Sequence, residues 1–244
     1  YLNNQFSNVD DYLKLIKSVV KKNDFTLGGY VKKFEDKFKK KIKSKYAVGV
    51  GSGTDAIKLS LEALNIGKGD EVILPSFTFY ATLNPVIAVG AKPIFVDSKM
   101  DFNIDENEIE KKINKKTKAI IPVHWAGKIC NMIKINQIAK RYNLKIVEDA
   151  CHAYLSKFKN KFAGNFGETG CFSLHPLKNL NVWGDGGVIT TNSKKIRDKL
   201  LLLRNHGLKN RNTCQIFAGN SRLDTIQAIV ANHMLKKIKF ITKK

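Results

Sequence analysis

Seven short apolar runs, at 46–50, 71–74, 93–96, 119–123, 145–147, 171–174 and 187–191, alternate along the chain with stretches of helical periodicity. Runs of three to five residues are too short for a buried helix, yet suit short strands covered on both faces. The helical stretches fall at 11–22, 31–42, 55–64, 81–89, 106–113, 133–142, 194–204 and 223–238. Strands separated by helices in this way build a largely parallel sheet with helices on each side. The expected fold is therefore α/β, with three layers (α/β/α) around a mostly parallel seven-stranded sheet. Such sheets bind ligands beyond the C-terminal ends of their strands, near helix N-termini.

The 244 residues suit one large α/β domain or two small ones. Apolar residues make up 43% and charged residues 26%, as in chains that fold rather than stay disordered. Residues 1–45 read as an N-terminal helical arm and 46–244 as the large domain. The chain opens on Tyr1, and 238–244 reads as the middle of a helix without a stop signal. A fragment is expected on that basis. No apolar run approaches the roughly 18 residues of a membrane span. No secretory signal opens the sequence, so the expected place is the cytoplasm, with no membrane contact. The four cysteines, Cys130, Cys151, Cys171 and Cys214, form no C-x-x-C pair, and the five histidines show no metal-site spacing. No metal is expected.

A net charge of +22 invites a nucleic-acid reading. Only Arg141, Arg197, Arg204, Arg211 and Arg222 are arginine among the 43 basic residues. Phosphate and base readers lean on the arginine fork. Here lysine is spread over helix surfaces, which describes a solvated basic exterior, and no nucleic-acid partner is expected. Such a charge would still steer an anionic small molecule toward the protein.

Three segments stand at positions suited to chemistry. The first is GVGSGTDA, from Gly49 to Ala56, between a strand and a helix. Backbone N–H groups at a helix start bind anions, and glycines allow close approach. The same residues fit G-x-G-x-x-A, which keeps a nicotinamide-dependent oxidoreductase in contention. That motif wants an acid about 20 residues on, at the end of the second strand. Asp70 and Glu71 stand at the beginning of that strand instead. A plain turn capped by Thr54 or Asp55 is the structural alternative. The second segment is Glu148-Asp149-Ala150-Cys151-His152 at a strand end, where a carboxylate can hold a protonated ring nitrogen or merely cap the next segment. The third runs from Ser173 to Gly187. In it Lys178 comes after a buried strand and before a glycine-rich turn, which suits a shielded nucleophile as well as one more surface lysine.

Together with FTLGGYVKKFE (25–35), SFTFYAT (76–82), GAKPIFVD (90–97), TKAIIPVHWAG (117–127), LRNHG (203–207) and GNSRLDTIQA (219–228), these segments resemble the DegT/DnrJ/EryC1/StrS sugar aminotransferases. The resemblance is colinear over nearly the whole chain. It implies a fold-type I enzyme that uses pyridoxal 5'-phosphate, with a smaller C-terminal domain beyond Lys244. Lys178, in S-x-x-x-x-K-N, matches the lysine that carries the cofactor, and Asp149 the carboxylate paired with its ring nitrogen. His152 matches a hydrogen-bonding position near the ring hydroxyl. Phe79 matches an aromatic stacked on the ring. Gly53, Thr54 and Ser173 match the phosphate site. Asn220 or Arg222 would reach the cofactor phosphate of the neighbouring subunit in a homodimer.

The implied reaction moves an amino group from an amino acid, most often glutamate, to a keto group of a nucleotide-linked deoxysugar, for cell-surface polysaccharide or secondary-metabolite sugars. A sugar dehydratase of the same family is the near alternative, and its members carry His where this chain has Lys178.

Overall fold

The computed structural model describes residues 5, 6 and 9–241. Residue 1 and residues 242–244, on which the expectation of a fragment partly rested, lie outside the described residues. The main elements are α1 (Val9–Lys22), α2 (Gly29–Ile42), β1 (Tyr46–Val50), α3 (Gly53–Ala63), β2 (Glu71–Pro75), α4 (Tyr80–Ala88) and β3 (Lys92–Val96). They continue with β4 (Thr117–Ile120), α5 (Met132–Arg141), β5 (Lys145–Asp149), β6 (Thr169–Ser173), β7 (Gly187–Thr191), α6 (Lys194–Leu203) and α7 (Thr225–Ile241).

All seven expected strands join one sheet, in the order β1-β7-β6-β5-β4-β2-β3. Strands β3, β2, β4, β5 and β6 pair in parallel, and β7 runs antiparallel to both its neighbours. The C-terminal ends of β1, β5 and β6 therefore share one edge of the sheet.

Side chains alternate across each strand, so neighbouring residues enter different layers. Val72, Leu74, Ala119, Ile121 and Val147 pack with Ile57 and Leu61 of α3 and Leu200 of α6. Their neighbours Ile73, Ile120 and Ile146 face Ile135 and Ile138 of α5. A third cluster joins α1, α2 and α7 to the sheet through Phe38, Tyr154 and Phe172. Helix α2 shows why. Its buried Val31, Phe34, Phe38 and Ile42 recur every three or four residues, which makes one apolar stripe on an otherwise lysine-rich helix. It stops at Lys43, whose left-handed φ of 59° lets its N–H return to the Lys39 carbonyl.

Two local expectations differ from the structure. The stretch 106–113 holds only a 3-10 turn, Glu110–Lys112. The buried Glu106 is drawn into an ion pair with the half-buried Lys99 at 2.6 Å, and Asp105 Oδ1 accepts the Asn107 N–H. A short, mostly polar stretch gains too few helical hydrogen bonds to compete. The strand expected at 119–123 ends at Ile120, before Pro122, and Val123 keeps a single bridge to Asp149. No helix among the described residues is long and apolar enough to cross a membrane.

Phe38 is fully buried where α2, Tyr154 and Phe172 meet. Phe38→Ala is expected to lower unfolding free energy by about 3–5 kcal/mol, read by urea denaturation. A loss below about 1 kcal/mol would show that α2 is not part of this core.

Candidate functional site

The shared edge of β1, β5 and β6 opens into a cavity of about 440 Å³. Its wall includes Gly53, Thr54, Phe79, Asp149, His152, Ser173 and Lys178, so seven of the residues singled out in the sequence meet in one place. Asn220 does not join them. It is exposed and bridges to Asn205, whose side chain also accepts a hydrogen bond from Arg222 Nη1 at 3.0 Å.

The glycine segment is built by close approach. Ser52 caps α3 by accepting the Asp55 N–H at 3.0 Å, so the cap is neither Thr54 nor Asp55. Asp55 is instead bound by the Ser221 hydroxyl at 2.8 Å, while Ser221 Oγ accepts the Gly51 N–H. A Cβ on Gly53 would meet Ser173 Cβ at 2.7 Å and Cys151 Sγ at 3.0 Å. On Gly187 it would meet the Ser52 carbonyl at 2.2 Å. Only glycines let α3 begin directly over β6 and β7. The first turn of α3, with N–H groups that a helix leaves unpaired, thereby borders the cavity.

The two acids at the end of β5 diverge. Glu148 is fully buried and accepts four donors: the N–H groups of Gly164, Phe166 and Gly167 and His124 Nε2, at 2.6–3.0 Å. It pins the 164–167 loop and is not part of the cavity wall. Asp149, 6% exposed, turns to the other face and lines the cavity. Its Oδ1 accepts the Cys151 N–H at 3.1 Å, and its Oδ2 accepts the Thr82 hydroxyl at 2.7 Å. Thr82 in turn lies 2.7 Å from the Thr78 hydroxyl.

Lys178 stands in a tight turn, its N–H bonded to the His175 carbonyl, with Ser173 Oγ accepting the His175 N–H. The buried Asn181 side chain donates to the Pro176 carbonyl at 2.7 Å. Gln227 grips both the N–H and the carbonyl of Trp183. The loop that carries Lys178 is thus fastened on both sides. His152 packs edge-on to Trp125, with ring centroids 5.5 Å apart. Burial pushes the His152 pKa below its usual 6.5, the Lys178 cation pushes it further down, and Asp149 opposes them. The Cys151 thiol is pushed up by burial and by Asp149, and so stays protonated. Phe79, 67% exposed, starts α4 at the cavity rim.

Thr78, Thr82, Trp125 and Asp185 also line the cavity without having been singled out in the sequence. Two threonines four residues apart at a helix start would have been a usable signal. The acids that a dinucleotide site needs are occupied elsewhere, Asp70 by the Gly67 N–H and Glu71 by Asn114, at the opposite end of β2.

The model of the DegT/DnrJ/EryC1/StrS aminotransferase family matches residues 7–244. The dTDP-3-amino-3,6-dideoxy-alpha-D-galactopyranose transaminase of Aneurinibacillus thermoaerophilus is 44% identical over 208 residues, which are 84% of this chain and 57% of that protein. The crystal structure of S. venezuelae DesV superposes with a TM-score of 0.94 at 34% identity, covering 98% of this chain and 65% of that one. NtdA from Bacillus subtilis, with bound cofactor PMP, gives 0.89 at 37% identity, over 95% of this chain and 53% of its own. The chain spans about three fifths of the length of the curated relatives it matches.

The opposing influences on His152 make a direct test. Its ring is expected to titrate below pH 6.5, monitored by NMR of its ring signals. Lys178→Ala is expected to move that titration upward, because it removes one of the two influences that depress it. An unchanged titration would place the Lys178 amine out of reach of His152.

Proposed function

We propose that this chain, which belongs to the DegT/DnrJ/EryC1/StrS aminotransferase family, forms the cofactor-binding part of a pyridoxal-phosphate-dependent sugar aminotransferase. The substrates in this reading are an amino-acid donor, glutamate, and a nucleotide-linked keto deoxysugar. The observation that carries it is the convergence of Asp149, at the end of β5, and Lys178, on the loop after β6, on one cavity beside the first turn of α3.

The residues present suit the cofactor. A buried carboxylate with a fixed plane matches a protonated ring nitrogen. The α3 start, kept open by the missing Cβ of Gly53, matches a phosphate. When bound, the cofactor supplies an electron-withdrawing ring that makes the hydrogen on the donor's α-carbon acidic. Asp149 would hold the proton on the ring nitrogen. The first-turn N–H groups of Gly53 and Thr54, with the Ser173 hydroxyl, would bind the phosphate. Phe79 would cover one face of the ring. His152, kept neutral at pH 7 by burial and by Lys178, would offer a hydrogen bond near the ring hydroxyl. The Lys178 amine would hold the cofactor covalently at rest and, once displaced, would take the proton from the donor's α-carbon. Asn220 and Arg222, outside the cavity of their own chain, are assigned in this reading to the site of a second subunit in a homodimer. The same reading takes the cytoplasm as the enzyme's compartment.

Lys178 also favours transamination over the family's dehydratase chemistry, whose members carry His at that position. Borohydride reduction of the intact protein loaded with pyridoxal phosphate is expected to attach the cofactor irreversibly to the Lys178 peptide, and Lys178→Ala to take no label. A label on another residue would overturn the assignment. Asp149→Asn is expected to keep the fold, by circular dichroism, and to lower turnover at least about a hundredfold, the scale of losing a preorganised electrostatic partner. Turnover near that of the unaltered protein would make Asp149 a structural acid only.

A further inference from the structure

Resting on the pyridoxal-phosphate reading for the identity of the ring, we propose that Thr82 is a positioning residue. It holds the Asp149 carboxylate, through a one-way hydroxyl relay from Thr78, in the plane that receives the protonated ring nitrogen.

The direction of the relay is set by the donor inventory. An ionised carboxylate only accepts, so at 2.7 Å from Asp149 Oδ2 the Thr82 hydroxyl must donate. Its single proton is then spent. The contact of 2.7 Å between Thr82 Oγ1 and Thr78 Oγ1 can be made only with Thr78 as donor. The order is therefore Thr78 to Thr82 to Asp149. The other carboxylate oxygen takes the Cys151 N–H. Each oxygen of Asp149 thus carries one donor from the protein, supplied from different elements, α4 and the turn after β5. Two donors from different directions fix the rotation of the carboxylate about its bond to Cβ. Each oxygen keeps a lone pair, and Asp149 faces the cavity, so a further donor can be received there.

Thr82 is itself 2% exposed, and its N–H is bonded to the Phe79 carbonyl in the first turn of α4. The segment that presents Phe79 at the cavity rim therefore also delivers the hydroxyl to Asp149. With both protein donors on the carboxylate, its remaining lone pairs are left for a donor from the cavity side. A threonine needed only for packing would have no use for its hydroxyl pointing at a carboxylate, and valine would serve as well.

The test uses the intact protein, freed of cofactor and titrated with pyridoxal phosphate labelled with 15N in the ring. Affinity is read by absorbance, and ring protonation by the 15N shift. Thr82→Val is expected to weaken binding about tenfold or more, the scale of a hydrogen bond to a charged group. It is also expected to move the 15N signal toward the unprotonated ring. Thr82→Ser restores both, to within about threefold in affinity. Thr78→Val, which leaves Thr82 free to donate, gives a smaller change in the same direction. Thr82→Val with unaltered affinity and 15N shift would overturn the proposal, as would Thr82→Ser failing as badly as Thr82→Val. Should Thr82→Val not fold, the serine and Thr78 variants decide by the same two readouts. No binding to the unaltered protein would overturn the aminotransferase reading and the ring assignment with it, an outcome distinct from all of these.

Discussion

The carboxylate of Glu148 has no solvent exposure and accepts four hydrogen bonds, three from N–H groups of the 164–167 loop and one from His124. A buried charge short of those donors would cost several kcal/mol, about 3–5 when one partner of a buried pair is lost. Strand β5 therefore cannot slip or rotate without tearing Glu148 from its cage. Because strand side chains alternate, the residue after Glu148 must then face the other way. That residue is Asp149. An acid outside the cavity thus decides where the acid that faces the cavity will stand.

A second constraint acts at the backbone. Gly53 lies against Ser173 and Cys151, and Gly187 lies under the Ser52 carbonyl, at distances where no side chain fits. These contacts bring the start of α3 over the ends of β6 and β7, so an anion-binding turn meets Asp149 from β5 and the Lys178 loop. The Lys178 loop is anchored by polar groups rather than apolar packing alone, through Asn181 to Pro176 and Gln227 to Trp183. Such bonds fix direction, which suits a residue whose amine must reach a particular atom.

Most of the sheet was legible because its strands are rich in apolar residues, and even the half-exposed β3 was bounded to within a residue. The two strands with residues buried throughout, β2 and β7, were bounded in sequence to within a residue. Elements held by polar partners were not legible. The 106–113 stretch has the composition of a helix, but its fate depends on Lys99 and Asn131, which lie outside it in sequence. The site showed the same division. Gly53, Asp149 and Lys178 stand near strand ends, where position made them candidates and the family resemblance singled them out. Trp125 enters only through tertiary contacts, and Thr82 only once its spacing from Thr78 at the start of α4 is read. Thr54 and Asp55 looked like caps because capping side chains are judged by type, and Ser52, just before them in the chain, took the role. The different fates of Glu148 and Asp149 could not be told from adjacent acids, since the loop that claims Glu148 lies 16 to 19 residues away.

The charge of +22 acquires a definite meaning only against this geometry. Among the described residues, Lys178 is the one lysine that lines the cavity. Many others sit on exposed helix faces, as Lys32, Lys33 and Lys40 do along α2. At physiological salt a charge is felt over about 8 Å. Lysines on the far side of α2 and α7 therefore contribute little to the field inside the cavity. What they supply is a general positive potential around the molecule, which raises the encounter rate of any anion without selecting one. Selection must come from groups fixed at short range. The cavity holds one lysine on an anchored loop, the Asp149 carboxylate gripped from two sides, Asp185 at its exposed margin and one helix start, and their signs differ. A purely anionic ligand would be repelled by Asp149. A ligand with a negative phosphate at one end and a positive ring nitrogen at the other suits the helix start and Asp149 together, and that division of charge is what separates this site from the basic surface around it.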